Sequence, residues 1–225
     1  CSLILNGGTP EGKIKEQDID GLKKGLENVE KHLENLSTFG QTVIVAFNKY
    51  YFDTEEEIDV VRQYCATKGV RFAINDAFVK GSDGAIELAE TIVDAVENDP
   101  SHDLKFTYDD EDSIEEKVEK IAKTIYGARD VVFGEKALKM LDKINGTPLA
   151  KMPVCIAKTQ YSFSADPKAY GVATNFRFKI NELVINQGSE FIVAIGGEMM
   201  RMPGLPADPQ ANHIDIVAGN VEGLS

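Results

Sequence analysis

The chain has 225 residues, of which 43% are hydrophobic and 27% charged, a composition typical of one large or two modest globular domains. Its formal net charge is −13. Because a field of that sign repels phosphate groups, the charge argues against nucleic-acid partners and acidic membrane surfaces. No apolar run approaches the roughly 20 residues that a membrane-spanning helix needs, and no signal peptide is recognisable.

The cysteines give a first indication of the compartment. Cys1, Cys65 and Cys155 are far apart and odd in number, without metal-ligand spacing or the pattern of a disulfide framework. Free thiols fit a reducing cytosol, so we expect a cytoplasmic protein. The chain begins at Cys1 without a methionine and enters an apolar run at 2–5, which predicts a strand and indicates a piece of a longer protein.

The first half of the chain alternates helical and strand patterns. Apolar residues spaced by three and four from Ile19 to Leu36 predict a helix, and Gly40 predicts its end. The continuous apolar run at 42–47 is typical of a strand covered on both faces. Further elements are predicted by a capping box at 54–57 that opens a helix, a strand at 70–74 and a helix at 86–96. This order predicts a parallel sheet with helical crossovers.

Strands become more frequent towards the end of the chain. Ser113 and Glu116 form a second capping box, and a short strand at 131–133 and a helix ending at Gly146 follow. Beyond Pro148 the predicted strands are 153–157, 176–180 and 191–195. We therefore predict an α/β domain over 1–148 and a smaller, strand-rich α+β domain over 149–225.

Residues 7–13 match the spacing of a phosphate loop, GxxxxGK. The next residue is Ile14, where such a loop needs Ser or Thr to hold Mg²⁺. Pro10 has no amide hydrogen and Glu11 is negative, so both are poor lining for an anion. These departures favour a surface connection, and a nucleotide hydrolase that uses this segment remains the weaker hypothesis.

Aromatic residues follow two of the predicted strands. Tyr50, Tyr51 and Phe52 come after the strand at 42–47, and Phe78 follows the strand at 70–74. Ligands in open α/β sheets bind beyond the carboxyl ends of strands, so Tyr50 and Phe78 are predicted to border a slot for a flat ligand. The alternative is that these rings cover a neighbouring domain.

Other chemistry is sparse in the sequence. His32, His102 and His213 are isolated, and the carboxylates show no catalytic pairing, so we predict neither a metal site nor a catalytic residue in this chain. The loops KTQYSFS (158–164) and MPGLP (202–206) look too specific for mere connections.

Four segments carry a resemblance to a known family: VIVAFNKYYFDTEEEI (43–58), AFVKGSDGAIELAE (77–90), CIAKTQYSFSADP (155–167) and MRMPGLPADPQANHID (200–215). The chain resembles formate–tetrahydrofolate ligase from LILNGG to its final NVEGLS. The resemblance implies an enzyme of one-carbon metabolism with a P-loop NTPase-like fold, which ligates formate to tetrahydrofolate at the expense of ATP. Formyl phosphate forms first, and N10 of the folate then attacks it to give 10-formyltetrahydrofolate.

The resemblance also implies partners. This chain would supply the last two-fifths of the enzyme, with the phosphate loop lying in the missing amino-terminal portion. The substrates would be formate, tetrahydrofolate and ATP with Mg²⁺, a monovalent cation would be a possible cofactor, and the enzyme would be a homotetramer. A non-catalytic module that binds folate or another protein is the alternative.

The resemblance assigns site residues. Tyr50 and Phe78 would sandwich the pteridine, where the family usually has Phe and Trp, and Ile74 and Asn75 would line the same pocket. Thr159, Ser162 and Gly171 are expected at the edge of the nucleotide site. Ala165 stands where the family often has Asp, which weakens any polar role at that position.

Overall fold

A computed structural model describes residues 2–197, 207–217 and 220–222. The described α-helices are α1 (Ser2–Asn6), α2 (Ile19–Thr38), α3 (Glu55–Thr67), α4 (Ala77–Lys80), α5 (Ile86–Asn98), α6 (Ile114–Thr124) and α7 (Glu135–Ile144). The described strands are β1 (Ile44–Asn48), β2 (Arg71–Asn75), β3 (Asp130–Phe133), β4 (Val154–Ala157), β5 (Arg177–Asn186), β6 (Phe191–Gly196), β7 (Asp215–Val217) and β8 (Asn220–Glu222). Short 3-10 helices occupy Glu11–Lys13, Gly81–Ala85, Pro148–Lys151, Gln187–Ser189 and Gln210–His213. The predicted loop at 202–206 lies outside the described residues.

The first half of the chain forms the predicted parallel crossover. Strands β1 and β2 pair in parallel, with Ile44 opposite Arg71 and Asn48 opposite Asn75. Helix α3 connects them and begins with the predicted capping box, in which the Glu57 amide donates to Thr54 Oγ1 (3.3 Å) and the Thr54 amide donates to the Glu57 carboxylate (3.0 Å). Both donors at the helix start are thereby satisfied. The expected α/β class is confirmed.

The predicted strand at 2–5 is wrong, because these residues lie in helix α1. Ile4 is buried against Leu22 and Leu26 of α2. The two helices approach so closely that a Cβ added at Gly25 would lie 1.8 Å from the carbonyl oxygen of Leu3. Periodicity cannot distinguish a helix from a strand in such a short apolar run, and here packing against α2 decides.

Strand β1 is less enclosed than its apolar sequence predicts. Val45 and Phe47 pack on the core formed by α1, α2 and α3, whereas Ala46, on the opposite face, is exposed. The expectation of full cover on both faces is therefore wrong at this position, since the described residues leave part of one face open.

The second half of the chain is built on a mixed four-stranded sheet of order β3-β5-β6-β4. Strands β5 and β6 are antiparallel, whereas β3 with β5 and β4 with β6 are parallel. Helices α6 and α7 contribute Val118 and Leu141 to one core with Phe178 and Ile192 of the sheet. Because β3 and both helices precede residue 148, the predicted boundary there falls inside one sheet and one core.

Polar and aromatic contacts join α1 and α2 to the second half of the chain. Asn35 Nδ2 donates to the carbonyl oxygen of Ile125 (2.8 Å), and the rings of His32 and Phe163 lie 4.9 Å apart. These contacts place the loop after β4 beside α2. In the part of the chain that the structure describes, no helix is both long and apolar enough to cross a membrane.

Candidate functional site

The carboxyl ends of β1 and β2 border a pocket of about 320 Å³. We call it the aromatic pocket, and its lining is Asn48, Lys49, Tyr50, Tyr51, Asn75, Phe78 and Val79. The two strands are parallel neighbours, so their following loops meet at one edge of the sheet. Of the residues predicted for a flat ligand, the structure brings Tyr50, Asn75 and Phe78 together here. Ile74 is half-buried one residue earlier in β2 and is not part of the lining.

Ring surface is unusually accessible at this pocket. The Tyr50 side chain is 54% exposed and that of Phe78 is 82% exposed. The Tyr50 ring stacks on Phe52 with centroids 5.5 Å apart and planes inclined by 10°. Exposed neighbouring aromatic surface of this kind favours contact with a ligand or another protein segment.

Local hydrogen bonds hold the Tyr50 loop in shape. The Tyr50 amide donates to Asp53 Oδ2 (2.8 Å), and the Asp53 amide donates to the Tyr50 carbonyl oxygen (3.1 Å). Lys49 Nζ lies 2.8 Å from Glu55 Oε1, and this hydrogen bond raises the pKa of Lys49 and lowers the pKa of Glu55. The ammonium group beside the pocket is therefore already paired with a carboxylate.

The Phe78 loop is closed by its own glycine-rich segment. The Asp76 amide donates to the carbonyl oxygen of Gly84 (2.9 Å). A Cβ at Gly84 would lie 2.3 Å from the Asp76 carbonyl oxygen, so this close return of the backbone requires glycine. Lys80 Nζ and Asp76 Oδ2 form an ion pair of 2.9 Å. Phe78 is thus presented from a compact turn.

Two asparagine side chains meet at the base of the aromatic pocket. Asn75 Nδ2 donates to Asn48 Oδ1 (2.9 Å), and the Ala77 amide donates to Asn75 Oδ1 (3.3 Å). Asn75 is among the residues expected from the sequence, whereas Asn48 is not. The available signal was the in-register pairing of two strands that both end in asparagine.

A second pocket, of about 450 Å³, lies where α1 and α2 meet the loop after β4. We call it the Lys158 pocket, and its lining includes Asn6, His32, Tyr126, Lys158, Ser162 and Tyr170. Lys158 Nζ donates to the carbonyl oxygens of Thr159 (2.9 Å) and Ser162 and lies 4.9 Å from the centre of the Tyr126 ring. Burial lowers the pKa of Lys158 to about 8. It also lowers the pKa of His32 and raises the pKa of Tyr126.

Of the three predicted nucleotide residues, one lines this second pocket and the other two lie next to lining residues. The Tyr161 amide donates to Thr159 Oγ1 (3.3 Å), and the Ser164 amide donates to Ser162 Oγ (3.0 Å). The Gly171 amide donates to Asn6 Oδ1 (3.1 Å). Ser162 belongs to the lining, whereas Thr159 and Gly171 do not. The sequence singles out the loop at 158–164 but assigns no role to Lys158 itself, although a lysine directly after a predicted strand is a recognisable signal.

The segment at 7–13 does not have the setting of a phosphate loop, because it follows helix α1 instead of a strand. A Cβ at Gly7 would lie 1.8 Å from the Gly21 carbonyl oxygen, so close helix packing explains this glycine. Thr9 Oγ1 donates to Asp18 Oδ2 (2.5 Å), and this bond lowers the pKa of Asp18. Lys13 is exposed. The geometry fits the surface connection that the sequence favours.

Comparisons with known proteins give one answer along the whole chain. The family model described as formate–tetrahydrofolate ligase matches residues 1–225. A formate–tetrahydrofolate ligase of Bacteroides thetaiotaomicron is 53% identical over 223 residues, or 99% of this chain. Those of Phocaeicola vulgatus and Campylobacter concisus are 52% and 49% identical over 100% of this chain.

The matched relatives are longer than the chain. It spans 40% of the length of the Bacteroides thetaiotaomicron and Phocaeicola vulgatus proteins and 41% of the Campylobacter concisus protein. The family model nevertheless covers residues 1–225 without interruption. The chain therefore belongs to the formate–tetrahydrofolate ligase family.

Proposed function

We propose that this chain is the folate-side portion of an enzyme that ligates formate to tetrahydrofolate at the expense of ATP, through formyl phosphate. The observation that carries the proposal is the aromatic pocket, in which Tyr50 and Phe78 lie at the carboxyl ends of adjacent parallel strands. A pteridine is a flat heterocycle, and each stacking contact with a ring adds about 0.5–1.5 kcal/mol beyond the burial of area. The phosphate loop would lie in the amino-terminal portion that completes the enzyme.

The remaining assignments concern ATP and the assembly. Ser162 lines the Lys158 pocket, Thr159 lies between two lining residues, and Gly171 bonds to the lining residue Asn6. We propose that these three residues border the adenine nucleotide, with Mg²⁺ accompanying the phosphates. The complete protein would have a P-loop NTPase-like domain and a strand-rich unit. It would act as a cytoplasmic homotetramer, with a monovalent cation as a further cofactor.

The test is substitution of the two rings in the complete protein, this chain joined to its amino-terminal portion. Tyr50→Ala and Phe78→Ala are each expected to weaken tetrahydrofolate binding about 3- to 10-fold, because each removes one stacking contact. The affinities for ATP and formate should not change. Titration calorimetry with each ligand measures all three affinities.

A matched control exists in the loop beside the residues that precede β1, away from the aromatic pocket. Phe106 is 80% exposed, almost as much as Phe78, and lies outside both pockets. Phe106→Ala should leave the folate affinity unchanged. Unchanged folate affinity in both Tyr50→Ala and Phe78→Ala would refute the pocket assignment.

One observation favours a second candidate, a non-catalytic folate-binding module. Hydrogen bonds within residues 48–84 hold the Tyr50 and Phe78 loops in shape. A module of that kind would bind tetrahydrofolate without the amino-terminal portion and would not turn over ATP. Titration of the isolated chain separates the two functions, since absence of folate binding there would exclude the module.

A further inference from the structure

The aromatic pocket contains a polar group that the fold holds in a defined orientation. Asn48 and Asn75 are the last residues of β1 and β2 and lie opposite each other in the parallel register. Side chains at paired positions project from the same face of a sheet, so the two amides meet beneath the aromatic loops. Both residues belong to the pocket lining.

The hydrogen bonds determine the positions of the oxygen and nitrogen atoms in the side-chain amides of Asn48 and Asn75. The Ala77 amide has only a hydrogen to offer, so the Asn75 atom that it contacts at 3.3 Å must be the carbonyl oxygen Oδ1. The other end of Asn75, Nδ2, therefore donates to Asn48 at 2.9 Å, and the atom it reaches is Asn48 Oδ1. These two hydrogen bonds leave the Nδ2 group of Asn48 with both of its hydrogens available.

The neighbouring charged groups are already satisfied. Lys49 pairs with Glu55, and Lys80 pairs with Asp76. Asn48 is exposed, and the described residues provide no hydrogen-bond acceptor for its Nδ2. A ligand ring that enters the aromatic pocket therefore meets a fixed donor at its edge.

We propose that Asn48 selects the pteridine by donating from Nδ2 to the carbonyl oxygen at position 4 of the ring. The inference rests on the proposed function, because it takes tetrahydrofolate as the occupant of the aromatic pocket. Asn48 would be a specificity-determining residue, which discriminates a 4-oxo ring from a 4-amino ring. Tyr50 and Phe78 stack on either kind of ring and cannot make that distinction.

The discrimination follows from donor and acceptor chemistry. A 4-amino group presents hydrogens to Asn48 Nδ2, so two donors would face each other. Rotating the Asn48 amide by half a turn does not relieve this contact, because Asn48 Nδ2 would then face the donor Nδ2 of Asn75. A site built to hydrogen-bond one group strongly rejects an analogue that leaves its polar atoms unpaired.

The experiment reverses the donor without changing the shape of the side chain. In Asn48→Asp one carboxylate oxygen still accepts from Asn75 Nδ2, and the other replaces the donor with an acceptor. Calorimetric dissociation constants are measured in the complete protein for tetrahydrofolate and for its 4-amino-4-deoxy analogue. We expect wild type to prefer tetrahydrofolate by about tenfold or more, and Asn48→Asp to reverse that preference.

Two further variants keep the test decisive. Asn48→Ala should bring the two affinities close to each other, because it removes the donor without adding an acceptor. Asn145→Asp makes the same chemical change at an exposed position outside both pockets and should keep the wild-type ratio. Thermal unfolding confirms that each variant is folded, and a ratio of affinities is insensitive to the fraction of active protein.

The failures of the two proposals are distinguishable. If Tyr50→Ala weakens tetrahydrofolate binding and Asn48→Asp keeps the wild-type ratio, the role of Asn48 is overturned and the pocket stands. If wild type does not bind tetrahydrofolate, or Tyr50→Ala and Phe78→Ala both bind it as wild type does, the pocket assignment is overturned and the inference falls with it.

Discussion

The aromatic pocket and the Lys158 pocket use their side chains in opposite ways. In the aromatic pocket Tyr50 and Phe78 leave most of their surface open, and the Nδ2 group of Asn48 has no acceptor among the described residues. In the Lys158 pocket Lys158 and Ser162 are hydrogen-bonded within their own loop. The first pocket keeps its recognition groups available, whereas the second uses its polar groups to hold a loop in place.

This difference separates affinity from stability. Removing an exposed ring costs little folding free energy, since few native contacts are lost, but it removes surface that a ligand would cover. Removing a buried donor leaves carbonyl oxygens unsatisfied and destabilises the fold directly. Substitutions in the two pockets should therefore change different measurable quantities.

The largest effect on stability is expected for Lys158→Met. The variant keeps most of the apolar stem but removes the donor for the carbonyl oxygens of Thr159 and Ser162. Hydrogen bonds from a charged donor contribute about 1.5–3 kcal/mol, and the burial that lowers the pKa of Lys158 offsets part of this contribution. We therefore expect a net loss of about 1.5 kcal/mol in the free energy of unfolding near pH 7. Urea denaturation measures it. Lys168→Met, an exposed lysine in the same segment, is the control. Equal stabilities of the two variants would contradict the role of Lys158.

A smaller effect is expected from pH. The pKa of Lys158 is about 8 in the folded protein and 10.5 ordinarily, because burial disfavours its charged form. Between these values the unfolded chain binds more protons than the folded protein, so this group makes stability rise with pH from about 8 to about 10.5. We expect a gain of about 1 kcal/mol, after allowance for the part of the side chain that solvent screens.

The pH measurement needs a difference between two proteins, because other groups also titrate in this range. Tyr126 faces the ammonium group of Lys158, and burial raises the pKa of its phenol. Subtracting the unfolding free energy of Lys158→Met at each pH isolates the contribution of Lys158. His32, which also lines this pocket, has its pKa lowered and is neutral throughout the window. If the difference in unfolding free energy between the two proteins does not change between pH 8 and 10, the lowered pKa of the buried Lys158 is refuted.

Local sequence signals predicted the elements whose causes are local. Helix α2 follows from its apolar spacing, and α3 follows from its capping box, which satisfies donors within four residues. Local signals do not show that α1 is a helix and not a strand, because its close backbone contact with Gly25 of α2 is a tertiary effect. The pairing of β3 with β5, a strand more than 40 residues further along the chain, is likewise a tertiary effect that local signals do not encode, and the domain boundary at 148 stays a prediction.

Of the two candidate sites, the aromatic pocket could be predicted from local sequence signals, whereas the Lys158 pocket could not. Tyr50 and Phe78 were predicted to lie together because parallel strands end at one edge of a sheet, and the pattern of strands was readable. The role of Lys158 depends on a loop that folds back so that a carbonyl oxygen four residues later meets its ammonium group. No periodicity or spacing encodes that return of the backbone.

The smallest effect is expected for the stability of the aromatic variants. Tyr50→Ala and Phe78→Ala should each change the free energy of unfolding by less than about 0.5 kcal/mol, because both side chains are more than half exposed. Urea denaturation in the absence of ligand makes the measurement, with Lys158→Met as the destabilised reference. Addition of tetrahydrofolate should stabilise wild type more than either variant, since a ligand stabilises a fold in proportion to the logarithm of its affinity. A loss as large as that of Lys158→Met would instead mean that these rings hold the fold together, as expected if they covered a neighbouring domain.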